Sequence, residues 1–580
     1  MIGIFAVIGK WRNGVSNDEI KNIVVNNDTG LEFNISTHED SIFAHNVLNK
    51  FKNDQIFSSD HGTTILLDGV ILNSQQLLDK YNAPSLLRLF EHFIEKNCIQ
   101  ELLSEMRGSF CGLVFNDSGL FVFTDQLATK QLFYSYIDDS IIISSEVGTI
   151  VHFFKKQSIS YSLDEIGAYS LMSYAYMYLN HTLIKEVKRL KEGQILQFCD
   201  NVHKITEYYK LKDDEIVISR EDAIEEIDRL FLNAVRLQME KNKEYGYMDV
   251  VPLSAGMDCR MTAFAARKIS TLPMLNFTYS EYGQDDCVNP ALMARELKNK
   301  WVFKSLDNGL DMLNIQESIQ IADGLIYYLW PAQLNDVLKL INVEKWGVVH
   351  TGVIGDVILG CWHNRKTGVY KIGDGAYSTK YISKLSKLVS EESEVNDISY
   401  ELGMFKNRAI NGACMGYSTT FRRYCIDLSP FMNIDFINFC LSLPFDYRKD
   451  HSIYYEWVKK KYPAAAKFKH NGVTINGEIV INVKGQKIRI AAIKDIITRK
   501  IKRLQRDIFN KDYGMNPQDS WLKNNDFLMD KMNRYFEDHL GSLASWPEIY
   551  QDAYELYKTG NAVEKSLAIS IVGSVGQFFC

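Results

Sequence analysis

Short apolar runs, several alternating with polar residues, fill the first third of the chain. Ile2 to Ile8, Thr63 to Leu67, Phe110 to Phe115, Leu120 to Phe123 and Ile141 to Ser144 each read as a strand, with Asn, Asp and Gly turns between them. Two stretches, Ser85 to Lys96 and Ser162 to Ala175, have helical spacing instead. Up to about Tyr209 the mixture predicts stacked antiparallel sheets covered by a few helices.

The rhythm changes near Asp213. Glu221 to Lys241 places Ile224, Ile227, Leu230, Phe231, Val235 and Leu237 at the spacing of an amphipathic helix. A strand from Met248 to Leu253 follows, then a helix from Met261 to Ile269, a strand from Met274 to Tyr279 and a helix from Val288 to Lys298. Trp346 to Thr351 reads as a further strand. Strands alternating with helices predict a parallel, doubly wound sheet. Past Asp356 the pattern is almost all helical and charged. The expected division is residues 1–209 and 213–580, with no internal repeat and no low-complexity linker.

Length and composition fit this division. A chain of 580 residues exceeds what one core supports, and 46% hydrophobic with 24% charged residues is ordinary for a globular protein. A formal charge of −7 argues against a nucleic-acid partner. The basic stretch Lys494, Arg499, Lys500, Lys502, Arg503 and Arg506 reads more simply as a solvated helix face. Ten cysteines occur without a CxxC or a Cys/His cluster at zinc spacing, as scattered core thiols of a reducing, cytoplasmic compartment do. Met1 to Ile8 lacks a basic leader, so no signal peptide is expected. Ser566 to Phe579 is too short to cross a bilayer, so no membrane partner is expected.

Two loops carry the candidate chemistry. Ser254-Ala255-Gly256-Met257-Asp258-Cys259 follows a strand and opens a helix. Small residues there allow close approach of phosphate oxygens, and helix N-terminal amides favour them. Asp258 adds a carboxylate for a divalent cation. Gly352-Val353-Ile354-Gly355-Asp356 repeats the arrangement after the next strand. Loops at the carboxyl ends of parallel strands converge on one crevice, so Asp258 and Asp356 can face one triphosphate and share magnesium. Read alone, each loop is equally a Gly-rich turn with a capping Asp.

The order Pro252-Leu253-Ser254-Ala255-Gly256-Met257-Asp258-Cys259-Arg260, then Asp286 with Ala294, then Thr351-Gly352-x-x-Gly355-Asp356 resembles asparagine synthetase and its relatives, the β-lactam synthetases and lasso-peptide cyclases. Their loop has the form Ser-Gly-Gly-x-Asp-Ser; here Ala255 and Cys259 depart from it. Leu67 to Asn73, Arg107-Gly108-Ser109-Phe110, Asp125 to Tyr134, Ser144-Ser145-Glu146 and Ser429 to Pro444 are similar to further family segments, in family order. The resemblance implies an N-terminal Ntn-hydrolase-like αββα sandwich. It also implies a C-terminal doubly wound ATP-pyrophosphatase domain, adenine-nucleotide α-hydrolase-like, ending in helices. Its cofactors would be ATP and Mg2+, its reaction AMP-forming amide ligation. Ser254, Ala255, Gly256, Met257, Cys259, Gly352 and Gly355 would hold phosphates, Leu253 and Thr278 adenosine, Asp258 and Asp356 the metal. Lys467 and Lys469 lie near the family's lysine for the adenylated intermediate, though a solvated basic loop explains them equally well. Arg260 reads as a phosphate or substrate contact, or as a surface charge at a helix start.

Two departures narrow the expectation. Glutaminase members carry a terminal cysteine nucleophile, but Ile2 offers no nucleophilic atom, and Cys98 sits in a helical-looking run. The N-terminal domain is expected to lack amidase chemistry. The residue three before the second loop aspartate is acidic in asparagine synthetases, and in β-lactam synthetases a tyrosine takes part in proton transfer; here the position is Val353. The partners implied are a small-molecule or peptide carboxylate and an amine or ammonia, with a homodimer left open. Asparagine synthesis proper, amide closure within one substrate, and a catalytically silent scaffold remain as alternatives.

Overall fold

The computed structural model describes residues 2–9, 16–24, 31–38, 40–60, 62–360, 368–391, 398–470, 473–475, 480–483, 486–489, 497 and 515–580. The basic residues Lys494, Arg499, Lys500, Lys502, Arg503 and Arg506 lie outside the described residues.

Twelve strands build the N-terminal part: β1 (Gly3–Ile8), β2 (Leu31–His38), β3 (Ser41–Leu48), β4 (Ile56–Asp60), β5 (Thr63–Ile71), β6 (Gly108–Asn116), β7 (Gly119–Thr124), β8 (Phe133–Ile137), β9 (Ser140–Ser144), β10 (Lys188–Arg189), β11 (Gln194–Cys199) and β12 (Val202–Glu207). They form two six-stranded sheets, ordered β10-β8-β9-β1-β3-β2 and β12-β11-β7-β6-β5-β4, with antiparallel pairing throughout. The two-residue period of a strand explains the packing. Ile4, Ala6 and Ile8 of β1 enter the space between the sheets with Leu66, Leu113 and Val122, while Phe5 and Val7 face an outer helix layer. Helices Val147–Gln157 and Glu165–Tyr174 cover that side, and Leu86–Glu95 with Ile99–Glu105 cover the other. The layers run helix, sheet, sheet, helix. Cys98 is the residue before Ile99–Glu105 and is half-buried, outside the helical run in which the sequence seemed to place it.

Five strands form the C-terminal sheet: β13 (Met248–Pro252), β14 (Leu275–Ser280), β15 (Lys300–Ser305), β16 (Trp346–His350) and β17 (Ile426–Leu428). Their order is β15-β14-β13-β16-β17, all pairs parallel. Val251 faces the helices Arg220–Tyr245 and Met257–Ile269, and Val250 faces Leu329–Leu338 on the opposite side. Ser219 opens the first of these helices by accepting from the Asp222 amide at 3.1 Å, and Gly246, at φ 72°, ends it. The order reverses between β13 and β16, which makes that pair the topological switch point of the sheet.

The expectation of almost pure helix past Asp356 is corrected. β17 completes the parallel sheet, and two short hairpins, Lys469–His470 with Val473–Thr474 and Val480–Val483 with Gln486–Arg489, also occur there. The two parts of the chain share a core. Helix Ala562–Phe579 buries Leu567, Ile571 and Val575 in the same cluster as Phe5, Phe153 and Tyr169. Buried charge joins them as well. Lys241 pairs with Asp54 at 3.0 Å and Lys50 donates to the carbonyls of Val343, Glu344 and Trp346. Among the described residues no helix is long and apolar enough to cross a membrane.

Candidate active site

Both Gly-rich loops leave the sheet at the switch point, one after β13 and one after β16. They touch there. A Cβ on Gly352 would lie 2.2 Å from the Cys259 nitrogen, and one on Gly355 would lie 2.7 Å from Asp258 Cγ. Glycine at these positions is what lets the second loop lie against the first helix turn. The Asp356 amide donates to Asp258 Oδ2 at 2.9 Å. Between the glycines, Ile354 holds φ 69°, a conformation that costs a β-branched residue roughly 1–3 kcal/mol. The neighbouring peptide is anchored by Ser429, whose hydroxyl donates to the Val353 carbonyl at 2.8 Å.

Asp258 is the electrostatic centre. Burial, followed by the negative charge of Asp356, pushes its carboxyl well above the usual range, against the Asp356 amide and the Tyr454 hydroxyl. Tyr454 donates to Asp258 Oδ1 at 2.8 Å. Two carboxylates in one half-buried corner repel each other, and a divalent cation between them would remove that repulsion. Among the described residues no group of three or more acidic, His or Cys side chains gathers as a metal cage. A donor set of two carboxylates is one that magnesium accepts, its other positions being filled by phosphate oxygens and water.

The first loop is internally bonded. The Ser254 amide donates to Cys259 Sγ at 3.1 Å, the Ala255 amide to Asp286 Oδ1 at 2.8 Å, and the Gly256 amide to Ser254 Oγ at 3.1 Å. Helix Met257–Ile269 starts at Gly256 without a side-chain capping bond. Leu253 and Thr278 join the strands, since the buried Thr278 hydroxyl donates to the Leu253 carbonyl at 2.8 Å and accepts from Trp301 Nε1 at 3.0 Å.

Arg260 is fully buried, which corrects its reading as a surface charge at a helix start. Its guanidinium donates to the carbonyls of Ala255, Ala465, Phe468 and Lys469 at 2.9 to 3.2 Å. It thereby ties the segment bearing Lys467 and Lys469, both exposed, to the first loop. Tyr454 is a site residue that the sequence reading did not single out.

A pocket lies between the two parts of the chain. Ile2, Asp68, Lys130, Ser145, Arg422 and Asp427 contribute to its wall. Lys130 pairs with Asp68 at 2.7 Å, and Arg422 reaches the Ser145 carbonyl at 3.3 Å. The Ile2 amide donates to Glu146 at 3.2 Å. Two thiols are near: Cys425 in the wall and Cys111, placed in the electrostatic environment of Asp68 and Lys130; burial pushes both up, away from thiolate.

Residues 38–209 match the family described as the glutamine amidotransferase domain. The N-terminal part of the chain is a domain of that kind. No curated protein matches the chain. Among solved structures it is similar to a glutamine phosphoribosylpyrophosphate amidotransferase from B. subtilis complexed with ADP and GMP, at 12% identity over 52% of this chain and 65% of that one, with a TM-score of 0.26. A structure of the allosteric regulatory enzyme of purine biosynthesis is similar at 12% identity over 52% of this chain and 74% of that one, with a TM-score of 0.24. The chain spans just under two thirds of the first of these structures, and both likenesses are too distant to argue from.

Proposed function

We propose that the chain is an ATP-dependent, AMP-forming amide ligase of the asparagine synthetase kind. The observation that carries this reading is the contact of two aspartate loops, Asp258 against Asp356, at the switch point of a parallel sheet. A substrate carboxylate attacks the α-phosphorus of ATP in line, pyrophosphate leaves toward the first turn of Met257–Ile269, and an amine or ammonia then captures the acyl-adenylate. Asp258 and Asp356 would hold Mg2+, which offsets phosphate charge when bound. Tyr454 keeps the Asp258 carboxylate oriented, Arg260 holds the Lys467–Lys469 segment beside the loop, and the Ser254 hydroxyl is positioned by Cys259 at 3.2 Å.

We also infer that the amidotransferase domain supplies no ammonia of its own. Cys111 and Cys425, the two thiols near the interdomain pocket, are buried, which pushes both up and away from the thiolate that a glutaminase nucleophile needs. The nitrogen then comes from free ammonia, an amine substrate or a partner chain. A silent scaffold is the second reading, favoured by the internal bonds that already engage the amides of Ser254, Ala255 and Gly256.

One experiment separates these readings. The protein is incubated with ATP, magnesium and a panel of carboxylic acids, and pyrophosphate and AMP are followed. Turnover that disappears in Asp258→Asn, with the thermal transition retained, supports ligation. Absence of both turnover and Mg·ATP binding supports the scaffold. Glutamate release from glutamine that is abolished by a thiol alkylator would overturn the inference about nitrogen.

A further inference from the structure

The amides of the first loop are engaged in two different ways. Those of Ser254 and Gly256 donate within the loop, to Cys259 Sγ and Ser254 Oγ. The Ala255 amide donates outside it, to Asp286 Oδ1 at 2.8 Å, across 31 residues of chain. A carboxylate oxygen at that distance is a charge-assisted acceptor, the same chemistry that a phosphate oxygen offers. It also sets a negative group beside a loop that already carries Asp258, which opposes a polyanion there.

The turn bearing Asp286 is fastened at its two ends and lightly held between them. At one end Glu281, just after β14, accepts from Trp521 Nε1 at 2.8 Å and from the Asn308 amide at 3.3 Å. Its own amide donates to the Met515 carbonyl at 3.1 Å. At the other end Asn289 and Pro290 are buried residues of helix Asp285–Glu296. Between these anchors Tyr282, Gly283 and Asp285 are exposed. Gly283 holds φ 79°, and a Cβ on it would meet nothing within 4 Å. Gln284 opens the helix without a side-chain capping bond, and Pro290 has no N–H to give the Asp286 carbonyl one turn earlier. The first helical turn, which carries Asp286, can therefore tilt without breaking the helix behind it.

We propose that Asp286 is a gate on this loop. In the free protein its carboxylate takes the anion seat at the Ala255 amide, and a bound triphosphate displaces it, tilting residues 282–286 about Gly283. The proposal rests on the ligase reading for the identity of the anion. It also divides that reading from the silent scaffold, in which the bond to Ala255 is permanent. A seat that the protein's own carboxylate fills for all but about a tenth of the time lowers the apparent affinity for the anion about tenfold.

The test uses the full chain and two probes, Mg·ATP and inorganic pyrophosphate with magnesium. In calorimetric titration Asp286→Ala should bind both about tenfold more tightly than the wild type. Asp286→Asn, which keeps an uncharged acceptor for the Ala255 amide, should gain less. Hydrogen exchange of the wild type is the second readout and needs no variant: Mg·ATP should speed exchange of the amides at 282–287 while slowing it at 254–259. Unchanged or weaker binding in Asp286→Ala overturns the proposal, as does Mg·ATP binding that leaves exchange at 282–287 unchanged or slowed. Binding of neither probe by either protein overturns it together with the ligase reading. Tighter binding in Asp286→Ala with no pyrophosphate release from any carboxylic acid upholds the gate and counts against ligation. Pyrophosphate release with an affinity unmoved by Asp286→Ala upholds ligation and removes the gate.

Discussion

The Asp356 amide and the Asp258 carboxylate, 98 residues apart in the chain, lie 2.9 Å from each other. The bond locks the start of one helix to the end of the other loop. It also brings two carboxyl groups into one half-buried corner, an arrangement with no stability advantage of its own. On the proposed ligase reading, a cation and a polyanion would give the corner a use.

Gly355 is the residue that permits this approach. A methyl group there would stand 2.7 Å from Asp258 Cγ and 2.8 Å from its Oδ1, so the two loops must separate. Gly355→Ala should cost about 1–3 kcal/mol of stability and remove Mg·ATP binding. Urea denaturation and calorimetric titration with Mg·ATP check both; unchanged nucleotide binding would dissociate the loop contact from the site.

Much of this corner was legible in the sequence. The strand, loop and helix around Ser254 and around Gly352 follow from hydrophobic period and glycine placement, which are local properties. β17 was not legible, because Ile426–Leu428 is too short to show a period. Arg260 was not legible either. A basic residue early in a helix ordinarily faces water, and its burial depends on carbonyls about 205 residues further on. Tyr454 looks like any core aromatic until its hydroxyl is seen to meet a carboxylate 196 positions away. The shared core of Phe5 and Val575 was hidden in the same way, since two apolar runs do not announce that they pack together.

Tyr454 holds one oxygen of Asp258 while the Asp356 amide holds the other. Partners of this kind orient a metal-binding carboxylate, and their loss typically costs 10–100-fold in metal affinity or activity. Tyr454→Phe should therefore raise the magnesium concentration needed for half-maximal pyrophosphate release by about tenfold or more, with ATP saturating. An unchanged magnesium dependence would reduce Tyr454 to a packing residue.

Arg260 leaves four carbonyls without their donor if it is replaced by an apolar side chain of similar length. Unpaired buried acceptors cost about 1–3 kcal/mol each before relaxation. Arg260→Met should destabilise the protein by about 3 kcal/mol or more, and should expose the chain around Lys467 to limited proteolysis. Arg260→Lys, with fewer donors and no fork, should recover only part of the loss. A proteolysis pattern equal to that of the wild type would show that the segment is held by other contacts.

Asp311 gives the pH dependence. It is buried, and both its oxygens lack a donor of hydrogen-bonding geometry among the described residues, while Nε2 of the adjacent Gln333 lacks an acceptor. Burial pushes its carboxyl up to about 7, with Lys304 opposing and Asp336 assisting. The unfolded chain releases the same proton near pH 4. The folded state therefore binds the extra proton between about pH 4 and about pH 7. The contribution to stability is complete below that window and is lost as pH rises through about 7. Asp311→Asn removes the titration while keeping the shape. Relative to the wild type it should gain up to a few kcal/mol at pH 8, and the difference should shrink to near zero at pH 4. Asp54, Asp323 and Asp427 are also pushed up, to about 6, 7 and 6, so the wild type alone cannot isolate this group and the comparison with the variant does. Urea unfolding at pH 5, 6.5 and 8 is the measurement; parallel curves for the two proteins would show that Asp311 ionises in the folded state without penalty.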